Sequence, residues 1–412
     1  HLRKQNQFQN HQVNIQDARI QIWCPKWIII NGDVQKKDWA IVLYNKRIID
    51  ILFVRDAISK YSEADILDLR DYVICPAFID CHTHLELFEL YNHIGSDIDL
   101  YDTMLASGEY HKTATLSEVQ IAREKGESYM LSLGTSYCAD WVNMYSLAKL
   151  GYDDERVVPY LEIINTDEKL SLKNEEKINA FLKKKNSGMA PHSSYMVSPS
   201  AIIDIVKLKR PIAIHLAETN DEMEWLYGKK GKLYEHCVKN SKKSLEPLNF
   251  YNYKDYLKKV FYRESKVMIV HGAYLKEDDL QFVKKNKWII CVCPLSNYKL
   301  GGKILDLPYL YENKINIVLG TDCYQNNLSI FQNAKFYLTS LELNYEKNEI
   351  ARYLFKAMTE EGAKALNIKA YFSSFEKGNR VDFNLIKLKS ETVCESLFYN
   401  LITEGEFFCH IY

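Results

Sequence analysis

No apolar run in this 412-residue sequence approaches the ~20 residues that a bilayer-spanning helix needs, which argues against a membrane partner. An excess of charge is missing too. Lys and Arg number 53 against 54 Asp and Glu, a net charge of −1, so the footprint of a nucleic-acid binder is absent. Short lysine runs such as Lys183-Lys184-Lys185 read as solvated helix faces. The first twenty residues lack the apolar stretch of a secretory signal, and residues 1–18, rich in Gln and Asn, read as a disordered leader. The ten cysteines form no CxxC pair. Cys75, Cys291 and Cys293 sit inside apolar runs, and Cys291-Val-Cys293 would put both thiols on one strand face. Buried free thiols in a reducing cytoplasm fit this usage better than a disulfide framework.

What is present is an ordinary globular composition, long enough for a barrel with an accessory module. Short β-type runs fill 19–72: Ile20–Cys24, Trp27–Ile30, Trp39–Tyr44 and Arg47–Phe53, separated by turn pairs such as Asn31-Gly32 and Asn45-Lys46. A unit this small needs further strands to close a core. Val381–Ile386 and Phe407–Ile411 in 371–412 are the candidates, giving a small β-sandwich domain built from both chain ends.

Between them, over 73–370, eight apolar runs alternate with helix-length segments. They are Val73–Cys81, Ser132–Tyr137, Val157–Ile164, Gly188–Ala190, Pro211–Ile214, Val267–Val270, Trp288–Cys293 and Ile315–Leu319. Helical periodicity marks Leu275–Val283 and Ile350–Leu366. Strand–helix alternation implies parallel βαβ units, and eight of them imply an α/β fold of the (β/α)8, TIM-type barrel.

Polar residues collect where these runs end. The first ends in His82-Thr-His84, a spacing that sends two imidazoles to one side of a strand and suits a zinc-type ion. The fifth ends in His215-Leu-Ala-Glu218, the sixth in His271-Gly and the eighth in Gly320-Thr-Asp322. The fourth leads into Pro191-His192-Ser-Ser-Tyr195 and the seventh into Pro294-Leu-Ser-Asn297. In a barrel these ends meet at one rim, where active sites of the fold sit.

Read together and in order, PAFIDCHTHLE, IHLAET, VHGAYL and LGTDC resemble the amidohydrolase superfamily, and within it the aminohydrolase branch of deaminases and triazine chlorohydrolases. Phe375–Asp382 looks like that branch's return to the small domain. A finer resemblance, carried by Cys75-Pro-Ala-Phe-Ile with HTHLE, by Ala190–Tyr195 and by HLAET followed by Glu222–Trp225, is to the aminofutalosine deaminases of menaquinone synthesis. The loop from Leu87 to Tyr110 departs from many relatives in lacking a tryptophan.

The resemblance implies a site. His82, His84, His215 and Asp322 would bind one divalent metal, Zn²⁺ or Fe²⁺, with Asp322 also taking a proton from the attacking water. His271 would orient that water, and Glu218 would move protons to the ring and the leaving amine. No lysine ends the fourth run, so no bridging carbamate for a second metal is expected. His192, Glu86, Tyr195 and Asn297 would meet the substrate, a purine-type nucleoside. Cys323–Asn327 would line the mouth, while His93, His111 and His236 read as surface or lid residues. Leu87–Thr113 and Thr219–Ser265 would form lids over the pocket. The branch also suggests a homodimer. Dechlorination and deamination of guanine, cytosine or adenosine-type nucleosides are the alternatives on the same scaffold, and a non-catalytic barrel is the remote one.

Overall fold

A computed structural model describes residues 19–91, 99–152, 154–164, 170, 175–228, 230–240, 252–262, 265–300, 302–322, 327–389 and 391–412. The expected leader, His93 and residues 323–326 of the expected mouth segment lie outside them, as do parts of both expected lids. Five strands come first: β1 (Gln21–Asn31), β2 (Val34–Lys37), β3 (Trp39–Tyr44), β4 (Arg47–Phe53) and β5 (Asp65–Pro76). Eight follow: β6 (Phe78–Thr83), β7 (Thr135–Asn143), β8 (Val157–Ile163), β9 (Gly188–Pro191), β10 (Ile212–Leu216), β11 (Val267–His271), β12 (Ile289–Val292) and β13 (Ile317–Leu319). Two end the chain: β14 (Phe383–Lys387) and β15 (Glu406–Ile411).

The first five and last two strands make one mixed sheet, ordered β15-β14-β5-β1-β3-β4 with β2 paired to β1. The two apolar runs expected at its start are one strand, β1, with a register shift between Pro25 and Trp27. Proline has no amide hydrogen for the ladder, which accounts for the irregularity at that point. Asn45 and Lys46 both adopt positive φ (49° and 58°), the handedness that a tight β3–β4 hairpin needs. Trp23, Ile41, Ile74, Phe383 and Leu385 share one core, and Ala40 and Val42 share a second with Ala57 of the helix Val54–Lys60.

The run expected as Val73–Cys81 is divided. Val73–Pro76 pairs with β14 in the mixed sheet, and only Phe78 onward enters the barrel. The second barrel strand also differs, beginning at Thr135 after Gly134 (φ +87°) and running on to Asn143. The helix expected over Ile350–Leu366 is two, Lys347–Ala357 and Glu360–Ala365. Between them the Thr359 hydroxyl bonds to the Phe355 carbonyl at 2.6 Å, a back-bond that competes with helical continuation.

Strands β6 to β13 form one eight-stranded sheet in sequential order, with parallel pairing along it. β10 (IAIHL) and β11 (VMIVH) are buried throughout, as strands covered on both faces should be. The gap between β13 and β6 is bridged by Thr321 N and Asp322 N, which donate to the His82 carbonyl at 3.1 and 2.9 Å. Gly320 makes that approach possible: a Cβ there would lie 2.8 Å from His82 Cβ and from Cys291 Sγ. Among the described residues no helix is long and apolar enough to cross a membrane. The eight described cysteines are free, and all but Cys394 are buried.

Asp50 of β4 is 5% exposed and ties the early strands to the chain's last part. Its carboxylate accepts from Lys60 Nζ at 2.7 Å and Tyr61 Oη at 3.1 Å, and pairs with Lys377 Nζ at 2.6 Å. Burial alone would raise its pKa, but the bonds from Lys377, Lys60 and Tyr61 hold it well below the usual range. A depressed folded pKa contributes stability above the unfolded value and loses it as pH falls. Asp50→Asn should therefore cost roughly 1–2 kcal/mol at neutral pH. In thermal unfolding followed against pH, the gap between variant and wild type should close below about pH 4.

Candidate active site

Six polar residues from four strand ends meet above the barrel. His82 lies in β6 and His84 one residue past it, with ring centroids 4.8 Å apart. His215 lies in β10 and Asp322 three residues past β13. These four present ligand atoms all within 4.8 Å of one another, and all four are buried. Asp322 Oδ1 is 3.0 Å from His82 Nε2 and 3.4 Å from His84 Nε2, and Oδ2 accepts from Ser296 Oγ at 2.6 Å.

The protonation of the cluster follows from its burial. Desolvation pushes His82 down to about 3 and holds His215 well below its ordinary value. Burial also works against His84, which the Asp322 carboxylate nevertheless raises. Asp322 is held well below the carboxylate range, against desolvation, by its bonds from His82 and His84. His82 Nε2 and His215 Nε2 stand only 3.2 Å apart. Two neutral imidazoles with their nitrogens facing each other, beside a carboxylate, are a donor set whose lone pairs converge. An N3O set of this kind suits zinc or ferrous iron.

A second group adjoins the first. Glu218 Oε1 is 3.5 Å from Nε2 of His271, the last residue of β11. Burial raises the Glu218 carboxyl to about 7, opposed by His271. The Glu218 carboxylate in turn holds His271 well above its ordinary value, against the desolvation that would lower it. Ala217, His271 and Asp322, none of them glycine, have φ of +57°, +72° and +63°. Such left-handed residues cost about 1–3 kcal/mol each and cluster at functional sites. They turn the chain sharply at the ends of β10, β11 and β13.

Of the expected substrate residues, His192 and Tyr195 line one pocket with His84, His215, Glu218 and Asp322. Glu86 and Asn297 stand behind other side chains. Asn297 Oδ1 is 3.2 Å from His271 Nδ1, and Glu86 Oε2 accepts from Ser146 Oγ at 3.0 Å. His111, read from sequence as a surface or lid residue, lines the pocket with Nε2 3.6 Å from Glu86 Oε2. His236, given the same expectation, has Nδ1 3.3 Å from the Tyr101 hydroxyl.

Several residues escaped the sequence reading. Trp141 lies 4.1 Å from the His215 ring and 4.8 Å from His82, walling the cluster. Asp140 beside it accepts from Leu85 N and the Tyr152 hydroxyl, fixing the turn after His84. Glu222 accepts from Glu218 N at 2.9 Å and Ser194 Oγ at 3.0 Å, so it holds Glu218 in place. The signal for Glu222 was its spacing of four from Glu218. Trp141 could have been found by extending the alternation Tyr137, Ala139, Trp141 past the interrupting Asp140.

Three comparisons bear on this arrangement. The model of the amidohydrolase family matches residues 73–406. An adenosine deaminase of Helicobacter pylori is 25% identical over 372 residues, covering 85% of this chain and 87% of that protein. A 5-methylthioadenosine/S-adenosylhomocysteine deaminase of Pyrococcus abyssi is 26% identical over 363 residues, covering 82% and 79%. Among solved structures, the aminofutalosine deaminase of H. pylori in complex with methylthio-coformycin superposes with a TM-score of 0.71 at 21% identity, covering 95% of this chain and all of that one. The family match spans most of the chain, and the chain belongs to the amidohydrolase family.

Proposed function

We propose that this amidohydrolase is a one-metal aminohydrolase that replaces the exocyclic amine of a purine nucleoside by oxygen and releases ammonia. The observation that carries the reading is the N3O cluster with the Glu218–His271 pair against it. His82, His84, His215 and Asp322 would hold the ion. A divalent ion at such a site lowers the pKa of water from 15.7 toward ~7.

The chain's own groups do the rest. Asp322, oriented by Ser296, accepts a proton from the attacking water. His271, set by Asn297 and Glu218, directs that water at the ring carbon that bears the amine. Glu218, with a carboxyl near 7, gives a proton to the adjacent ring nitrogen. It then carries the water-derived proton to the amine, which leaves as ammonia while the water oxygen stays on the ring. Trp141 keeps bulk water from one side of the histidines. His192 and Tyr195 meet the sugar end, and Glu86 and Asn297 act by setting His111 and His271.

Within purine nucleosides, 6-amino-6-deoxyfutalosine is the favoured substrate, supported by the motif resemblance and by likeness to the H. pylori fold; this would place the chain in menaquinone synthesis. The pocket supports a second reading. Its described lining holds no lysine or arginine to meet that substrate's carboxylate, and Leu87, Leu100, Met104 and Leu300 make much of its wall apolar. A neutral 5′-substituent, as in 5-methylthioadenosine, one of the two substrates named for the P. abyssi relative, suits such a wall. The free thiols fit a cytoplasmic protein.

Ammonia release on metal-analysed protein tests the reading, with 6-amino-6-deoxyfutalosine beside adenosine, methylthioadenosine, guanine and cytosine. Turnover of a purine nucleoside is expected; turnover of cytosine alone, or of none of the five, contradicts it. His84→Ala should lose the metal, as measured by elemental analysis. Glu218→Gln should keep the metal while kcat falls on the order of 10²–10⁴-fold. Near-normal deamination by Glu218→Gln would overturn the assigned proton route.

A further inference from the structure

One pocket carboxylate has no part in the proton route. Glu162 closes β8 next to its last residue, is 8% exposed, and lines the same pocket as His84, His192 and Glu218. The other two carboxylates of the lining are engaged, Asp322 with Ser296 and His82, Glu218 with His271. Glu162 takes no hydrogen bond from any described residue. It shares that lining with three imidazoles, His84, His111 and His192, and its charge acts to raise the pKa of all three. His111 in turn is turned to Glu86, at 3.6 Å.

A carboxylate held nearly dry without donors is costly, so a ligand that brings donors gains by satisfying it. Of the same lining, Leu87, Leu100, Met104, Ile164 and Met196 offer none, and the hydroxyls of Thr103 and Ser107 donate to backbone carbonyls of their own helix segment. The strand order fixes what part of a ligand arrives there. Glu218 follows β10, His192 follows β9 and Glu162 ends β8, so they lie in sequence along the rim. A purine whose ring nitrogen meets Glu218 extends its sugar past His192 toward Glu162.

The geometry points to Glu162 as the residue that binds the vicinal 2′,3′-diol of the sugar, one hydroxyl donating to each carboxylate oxygen. This rests on the purine-nucleoside reading and adds a specificity to it: the enzyme selects ribonucleosides over sugars that lack the diol. The same charge disfavours a phosphate on either hydroxyl.

The test compares wild type, Glu162→Gln, Glu162→Ala and His192→Ala on adenosine and 5′-methylthioadenosine, each beside its 2′,3′-dideoxy analogue. The nucleosides serve as substrates and as competitive inhibitors of 6-amino-6-deoxyfutalosine turnover. Metal content and thermal unfolding verify that each variant is folded and loaded. Wild type should favour the diol by about 10²-fold, the size expected for hydrogen bonds to a charged group. Glu162→Ala should bring the ratio to within a few fold of one, chiefly through KM, and Glu162→Gln should fall between. A preference that survives in folded Glu162→Ala, or that vanishes only in His192→Ala, overturns the assignment while leaving the deaminase reading intact. A wild type inert toward all three nucleosides contradicts both.

Discussion

The Asp80 carboxylate is the constraint on which the site depends. It is fully buried, and Oδ1 accepts from the amides of His82 and Thr321, each at 3.1 Å. Oδ2 takes the Thr321 hydroxyl at 2.5 Å. One side chain thus clamps the end of the first barrel strand to the turn after the last. The join places His82 and Asp322, 240 positions apart in sequence, within 3.0 Å. Burial pushes the Asp80 carboxyl up to about 8, and these bonds pull in the other direction. A clamp of this kind sets ligand positions before any ion arrives, as a metal centre built on rigid elements requires.

That order comes at a cost in backbone strain and desolvation. Ala217, His271 and Asp322 are left-handed, and His82 and His215 are held neutral in a dry setting. Burial and the neighbouring imidazoles keep these two rings neutral, with their lone pairs available to a metal ion. They also separate two kinds of acid–base behaviour within a few ångströms. Asp322 is kept ionised among histidines, while Glu218, buried beside His271, sits near neutrality. Carboxylates whose environments push their pKa values apart can divide the tasks of base and proton donor.

Much of this was readable from the chain because the motifs lie at strand ends. HxH, HxxE, HG and GTD each combine an apolar run with a polar stop, so the local pattern names both the strand and the residue it delivers. What the sequence hid depends on partners distant in the chain. Glu162 is one acid in VVPYLEI, and only the fold shows it sharing a pocket lining with His111 and His192. His111 sits on the helix Leu100–Thr113, inside a segment expected as a lid; what the sequence does not show is its partner Glu86. The division of Val73–Cys81 was hidden for a different reason. Both halves are apolar and buried, so periodicity cannot tell which sheet each joins. The pairing of β5 with β14 and β1 decides it.

The central claim is a single ion held by four residues with the Glu218–His271 pair beside it. Anomalous diffraction from metal-loaded crystals, recorded on both sides of the zinc and iron edges, tests it most directly. The account predicts one peak per chain, bonded to His82, His84, His215 and Asp322. Two peaks in the pocket, or one centred on other residues, would contradict it.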